Sequence, residues 1–186
     1  MVAWLPAANW SEPIYYNFGS NVYFQNDMVY FGDQPVATAE EFANQAEQIA
    51  TTIPDVEPAP DEWMPLGVFA LSPADEAADD VEPTQFLQLA LSKQGIISGS
   101  LQNVATDTVK EIEGMVDKQT QRAAWTLAGE TRPIMEAGIG NLTHDTAPVL
   151  VHFADGTTQQ WLLVRLVEPD DNSGAATSAP AVPPQR

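Results

Sequence analysis

The chain has 186 residues, 44% of them hydrophobic, with no cysteine and a formal net charge of −19. This is long enough for one main domain with appendages and a real core, and it leaves no thiolate for disulfide, zinc or nucleophilic chemistry. The charge is uneven: residues 1–92 hold fifteen Asp and Glu and no Lys or Arg, whereas residues 93–186 hold eleven acids and all seven bases. Nucleic acid and anionic membrane surfaces are therefore unfavourable partners, because both are bound by neutralising phosphates with Lys and Arg. The acidity reads first as solubility, and second as attraction to a cationic partner or divalent ions.

Residues 1–20 form an extended aromatic-rich segment (Trp4, Trp10, Tyr15, Tyr16, Phe18) without a clean period, expected to pack on a neighbouring element. Residues 21–53 read as a small β-meander plus a helix. Val22-Tyr23-Phe24 is echoed by Val29-Tyr30-Phe31, and Asn26-Asp27 between them suits a two-residue hairpin loop. That register sets Phe24 opposite Val29 and Tyr23 opposite Tyr30, which makes Tyr23 and Tyr30 candidates for a partner-binding surface. Gly32-Asp33 predicts a second tight turn into Gln34–Ala37.

Thr38-Ala39-Glu40-Glu41 is a capping box. The helix it opens, over Ala39–Thr52, carries Phe42, Ala46, Ile49 and Ile53 as an apolar stripe for a sheet, with Ile49 a core position, and Pro54 ends it. Residues 54–62, with three prolines and four acids, predict a linker. The loop Ser72–Thr84 carries Asp75, Glu76, Asp79, Asp80 and Glu82. Its spacing lacks the alternation and central glycine of an EF-hand loop, so solvated carboxylates rather than a calcium or other metal site are expected.

From residue 63 onward the pattern is period-two alternation broken by turn clusters about every ten residues. Trp63–Leu71, Phe86–Ser92, Ile96–Asn103, Val109–Val116, Arg122–Leu127, Pro133–Ile139, Pro148–Ala154 and Gln159–Val167 make eight consecutive strands. Lys93-Gln94-Gly95, Asp117-Lys118-Gln119 and Asp155-Gly156 are too short for crossovers, so neighbours pair antiparallel. Eight is also the number at which an up-and-down barrel closes, with room for side chains or one small ligand. The fold class expected is mainly β: an antiparallel eight-stranded meander closed as a barrel over residues 63–167, preceded by a small β-meander and one amphipathic α-helix. An open curved sheet packed on the helix would leave the same pattern. The last strand is apolar on both faces, which predicts cover over its outer side. Residues 168–186, with four prolines and many small residues, read as a disordered tail.

Catalytic chemistry is thinly represented. His144 and His152 are the two histidines, and alternation places the His152 ring toward the surface. Gly95-Ile96-Ile97-Ser98-Gly99 has the wrong spacing for a nucleophile elbow, and no P-loop or dinucleotide fingerprint is present. Asn9-Trp10-Ser11 and Asn141-Leu142-Thr143 match the short glycosylation pattern. No run of eighteen apolar residues exists to span a membrane, and Met1-Val2-Ala3 does not open a signal peptide, so any export signal is expected upstream of this chain. A non-catalytic protein without cofactor or metal is the expectation.

Gln94–Ser100, Ile112–Val116 and Ala124-Trp125-Thr126 resemble the strand–turn pattern of avidin-type barrels, although the residues that hold biotin in that family have no counterpart here. Tyr15–Gln34, Asp61–Leu71 and Lys93–Leu166, through phrases such as Trp63-Met64-Pro65-Leu66-Gly67-Val68-Phe69, Val116-Asp117-Lys118 and Gln159-Gln160-Trp161-Leu162-Leu163, resemble a family of uncharacterised exported bacterial proteins, some labelled protocadherin-like cell-surface proteins. The resemblance implies the periplasm or cell surface and brings no known activity. Two functions follow as expectations: an interaction or structural module of the envelope, with an unknown protein or envelope partner, or a small-ligand barrel whose interior walls include Trp63, Trp125 and Trp161. Core packing is the ordinary role of those three tryptophans.

Overall fold

The computed structural model describes residues 12–75 and 82–166. Trp4, Trp10, the Asn9 sequon, the centre of the acidic loop (Glu76, Asp79, Asp80) and the tail lie outside these residues.

A three-stranded antiparallel sheet comes first: β1 (Val22–Gln25), β2 (Met28–Phe31) and β3 (Gln34–Thr38). Asn26 and Asp27 both take positive φ, 50° and 63°, the conformation a two-residue hairpin loop demands. Phe24 faces Val29 and Tyr23 faces Tyr30, as the repeat predicts. Helix α1 (Ala39–Thr51) opens on the expected capping box, with the Glu41 amide donating to Thr38 Oγ1 and the Thr38 amide to Glu41 Oε2.

Eight strands follow: β4 (Trp63–Pro73), β5 (Gln85–Ser92), β6 (Ile96–Asn103), β7 (Thr108–Val116), β8 (Arg122–Leu127), β9 (Ile134–Gly138), β10 (Thr146–His152) and β11 (Thr158–Arg165). Each pairs antiparallel with the next, and β11 pairs with β4 from Arg165 opposite Phe69 to Trp161 opposite Pro73. The barrel is closed, so none of its eight strands is left as a free edge.

Inward residues alternate with outward ones. Leu87, Leu89 and Leu91 of β5, Ile112 and Val116 of β7, and Phe69, Trp125, Met135, Val149 and Leu163 belong to one buried cluster. On β8 and β9 every residue is buried, because α1 lies across their outer face and that of β7. Ala46 and Ala50 meet Ala124 and Ile134 there, while Phe42 joins Tyr16, Phe18, Val22, Val29 and Leu150 in the adjoining cluster.

Two expectations about cover are corrected. The outer face of β11 is uncovered toward its C-terminal end: Val164 is 39% exposed, and Leu166 just beyond the strand 42%. The covered strands are β8 and β9 with part of β10, since the helix and small sheet dock there and not on the apolar last strand. The helix stripe also turns by one position. Phe42, Ala46 and Ala50 are the buried residues, Ile49 is half-buried, and Ile53 lies beyond the helix end.

One end of the barrel is tied by Arg165. Its guanidinium donates to the carbonyls of Leu66, Leu142 and His144 and lies over the Phe69 ring, 4.6 Å from its centre. Gly67 makes this possible. It sits at a register shift in β4 with φ +135°, and a Cβ there would fall 2.2 Å from Arg165 Nη1.

Candidate functional site

Trp63, Trp125 and Trp161 do not converge. Trp63 starts β4 opposite Ser92, whereas Trp161 faces Pro73 at the other end of that strand. Trp125 is completely buried in the barrel interior, and its indole N–H has no hydrogen-bond partner among the described residues. Trp161 is half-buried, donates to Gln159 Oε1 at 3.2 Å and lies near Phe153.

Tyr23 and Tyr30 do come together. Their rings stack with centroids 5.2 Å apart and planes 6° from parallel, on the sheet face opposite Val22 and Val29. Both are half-exposed, whereas Phe24, 41% exposed, lies on the other face with Val22 and Val29 and meets Phe42 edge-on.

The structure also assembles a polar chain that alternation does not reveal. Arg122, Glu136 and His152 all point outward from the barrel, from β8, β9 and β10, yet they are 4%, 1% and 1% exposed. The expected surface-facing His152 is thus corrected: its direction is outward, but that patch of wall is covered. Arg122 Nε and Nη2 donate to Glu136 Oε2 at 2.9 and 2.6 Å. Arg122 also donates to Gln45 Oε1 and the Phe42 carbonyl of α1, and stacks 3.8 Å over the Phe42 ring. Glu136 Oε1 lies 2.7 Å from His152 Nε2, and His152 Nδ1 lies 2.8 Å from Thr158 Oγ1.

This chain keeps a buried carboxylate fully partnered. An ionised carboxylate can only accept, so His152 Nε2 must carry the hydrogen. His152 Nδ1 and Thr158 Oγ1 complete the chain, with the donor set by the ring's protonation. Such buried networks fix a unique arrangement, and losing one member leaves an uncompensated charge. The signal available in sequence was one arginine and one glutamate inside the otherwise apolar runs Arg122–Leu127 and Ile134–Gly138. What covers them is helix α1, whose contacts with Arg122 span 77 and 80 residues of sequence.

Among the described residues, three clefts border the helix, the small sheet and the barrel wall, and Trp63, Trp125 and Trp161 line none of these three. One of about 670 Å³ lies between α1 and the β7–β8 turn, with Gln45, Gln48, Ile49, Gln94 and Met115 among its walls. The second, about 420 Å³, is lined by Tyr16, Phe31, Val36 and Phe42. A third of about 460 Å³ separates β1 from the wall of β10 and β11, between Phe18, Tyr23 and Phe24 on one side and Leu150, Thr158 and Gln160 on the other. All three have the size of ligand sites. Thr158 and Gln160 were not singled out in the sequence. Their alternation marks them as outward, but which element faces them is not local information.

Asn141-Leu142-Thr143 is a 3₁₀ turn rather than an exposed acceptor. Asn141 is 2% exposed, accepts from the Tyr16 amide and donates to Asn17. Among the described residues no group of three or more His, Asp and Glu is placed to hold a metal, and no helix is long and apolar enough to cross a membrane.

No family model, curated protein or solved structure matches this chain.

Proposed function

We propose that the protein is a non-catalytic interaction module of the bacterial cell envelope, in which the barrel is a filled scaffold and the aromatic hairpin is the contact surface for a partner protein. The observation that carries this reading is the stacked Tyr23–Tyr30 pair, half-exposed on the face of the small sheet opposite the buried Val22 and Val29. Tyrosine supplies large, rigid contact area with a polar tip at low entropic cost, which is why it is enriched in interface cores. The interior supports the same reading, because Trp125, Phe69, Leu87, Leu89 and Leu163 occupy it with at most 1% exposure. The envelope location rests on the resemblance to exported bacterial proteins.

The test is site-specific photocrosslinking in the source cells. A photoreactive side chain at Tyr30 is expected to capture one defined envelope protein, while the same group at Val109, an exposed residue on β7, captures none. Equal capture at both positions, or none at Tyr30, rules the hairpin out as the contact surface.

A further inference from the structure

We propose that Thr158 is an acyl-acceptor site, a hydroxyl set up by His152 to take one neutral, apolar acyl group from an ester. This goes beyond the contact-surface reading and does not depend on it.

Three side chains carry the chemistry, and they stand in the order a hydroxyl nucleophile needs: hydroxyl, imidazole, carboxylate. His152 and Thr158 are partners across the β10–β11 ladder. Thr158 is exposed, whereas the ring beside it is 1% exposed. Its Oγ1 lies 2.8 Å from His152 Nδ1, and Nε2 lies 2.7 Å from Glu136 Oε1. The other carboxylate oxygen, Oε2, takes two donors from Arg122, so Oε1 is left to orient the ring. With Nε2 holding its hydrogen for Glu136, the neutral ring has its lone pair at Nδ1, against the hydroxyl. Of these side chains only Thr158 lines the cleft between β1 and the β10–β11 wall. The base is therefore screened from water while the nucleophile is open to a reactant.

The cleft selects the acyl donor. Phe18, Tyr23, Phe24 and Leu150 give it apolar walls, and its lining holds no Lys or Arg. In a chain of net charge −19, such a site repels phosphoryl donors, which need cations to hold them. It takes instead a neutral ester with an alkyl or aryl acyl chain. Gln160, also in the lining, supplies an amide donor for the ester carbonyl oxygen as charge gathers there.

The step balances without a further reactant. Thr158 Oγ1 attacks the carbonyl carbon, and its proton passes to His152 Nδ1. The bond from that carbon to the ester oxygen breaks, and the proton follows to the departing alkoxide. The products are the Thr158 ester and the free alcohol, with one acyl group taken up per chain.

The experiment treats the full chain with p-nitrophenyl butyrate and locates butyryl groups by peptide mass spectrometry. Mapping is repeated after hydroxylamine, which removes esters and leaves amides on lysine. A hydroxylamine-labile butyryl group is expected on Thr158, formed roughly a hundredfold faster than on Thr106, an exposed threonine whose hydroxyl pairs with that of Thr108. Thr158→Ser should keep the label and Thr158→Val lose it. His152→Gln, checked for folding by circular dichroism, should slow labelling to the Thr106 rate. Equal labelling of Thr158 and Thr106 in the natural chain overturns the assignment, and so does full-rate labelling in folded His152→Gln. The Thr106 comparison needs no variant, so it decides even where His152→Gln does not fold. Neither result touches the Tyr30 crosslink, so failure of the chemistry and failure of the contact surface are told apart.

Discussion

Tyr16 carries its ring into the seam between the small sheet and the barrel. Its amide donates to Asn141 Oδ1 and its hydroxyl to the Thr120 carbonyl at 2.7 Å, and its ring meets Phe31 edge-on. Burial pushes its phenol up to about 12 from the usual 10, with the nearby Arg122 charge opposing the shift. The folded state therefore holds this proton after the unfolded chain has released it. Stability from Tyr16 is complete below pH 10 and is lost as pH rises from 10 to about 12. Urea midpoints across that range should fall less steeply for Tyr16→Phe than for the natural chain. At neutral pH the variant should cost about 1 kcal/mol, for the lost hydrogen bond. Parallel slopes would mean the hydroxyl is solvated. Little of this was legible in the sequence, where Tyr16 was one aromatic in an aperiodic segment. Its partners Thr120, Asn141 and Arg122 become neighbours only when the barrel brings them there.

At the scale of elements, the short-range devices were readable and the faces less so. The capping box, the Asn26-Asp27 loop and the short turns after β5 and β7 are local chemistry, so residue type alone places them. Loop Phe153–Thr157 is a hairpin, as Asp155-Gly156 indicates, but a longer one. The Gly156 amide bonds back to the Phe153 carbonyl, and Asp155 Oδ1 accepts from the Thr157 amide. The helix face needed more than hydrophobicity. An apolar stripe through Ile49 is the greasier choice, yet the buried ridge runs through Ala46 and Ala50, because alanine lets α1 lie close against Ala124. Ala46→Leu should therefore destabilise by about 1–3 kcal/mol through overpacking. Ile49→Ala, at the wall of an open cleft, should cost about 1 kcal/mol or less, below the 2–4 typical of a core isoleucine. Denaturant midpoints of the two variants decide the matter: the reverse order would place Ile49, not Ala46, on the packed face.

For the whole molecule, order and closure are separate questions. Strand order follows from the turns, since a connection of a few residues leaves no choice but the adjacent antiparallel position. Closure is not written in any turn, because it joins β4 and β11 at opposite ends of the domain in sequence. What favours it is the outer face of the seam, where an open sheet would leave two unpaired edges beside exposed Val68, Val164 and Leu166, an invitation to self-association. Pairing β11 with β4 satisfies both edges, and the Arg165 contacts with Leu66 and Leu142 lock one end. A seam held this way should open only when the whole barrel does. Native-state hydrogen exchange is then expected to give the β4 and β11 amides the same opening free energy as those between β7 and β8, with the same denaturant dependence. If β11 instead exchanges through a smaller, denaturant-insensitive opening, the seam is a fraying edge and the barrel is closed only part of the time. Arg165→Met separates the two sources of closure. Loss of its carbonyl contacts should lower exchange protection at the Leu66 end of the seam, while the ladder from Phe69 to Pro73 stays at the global value.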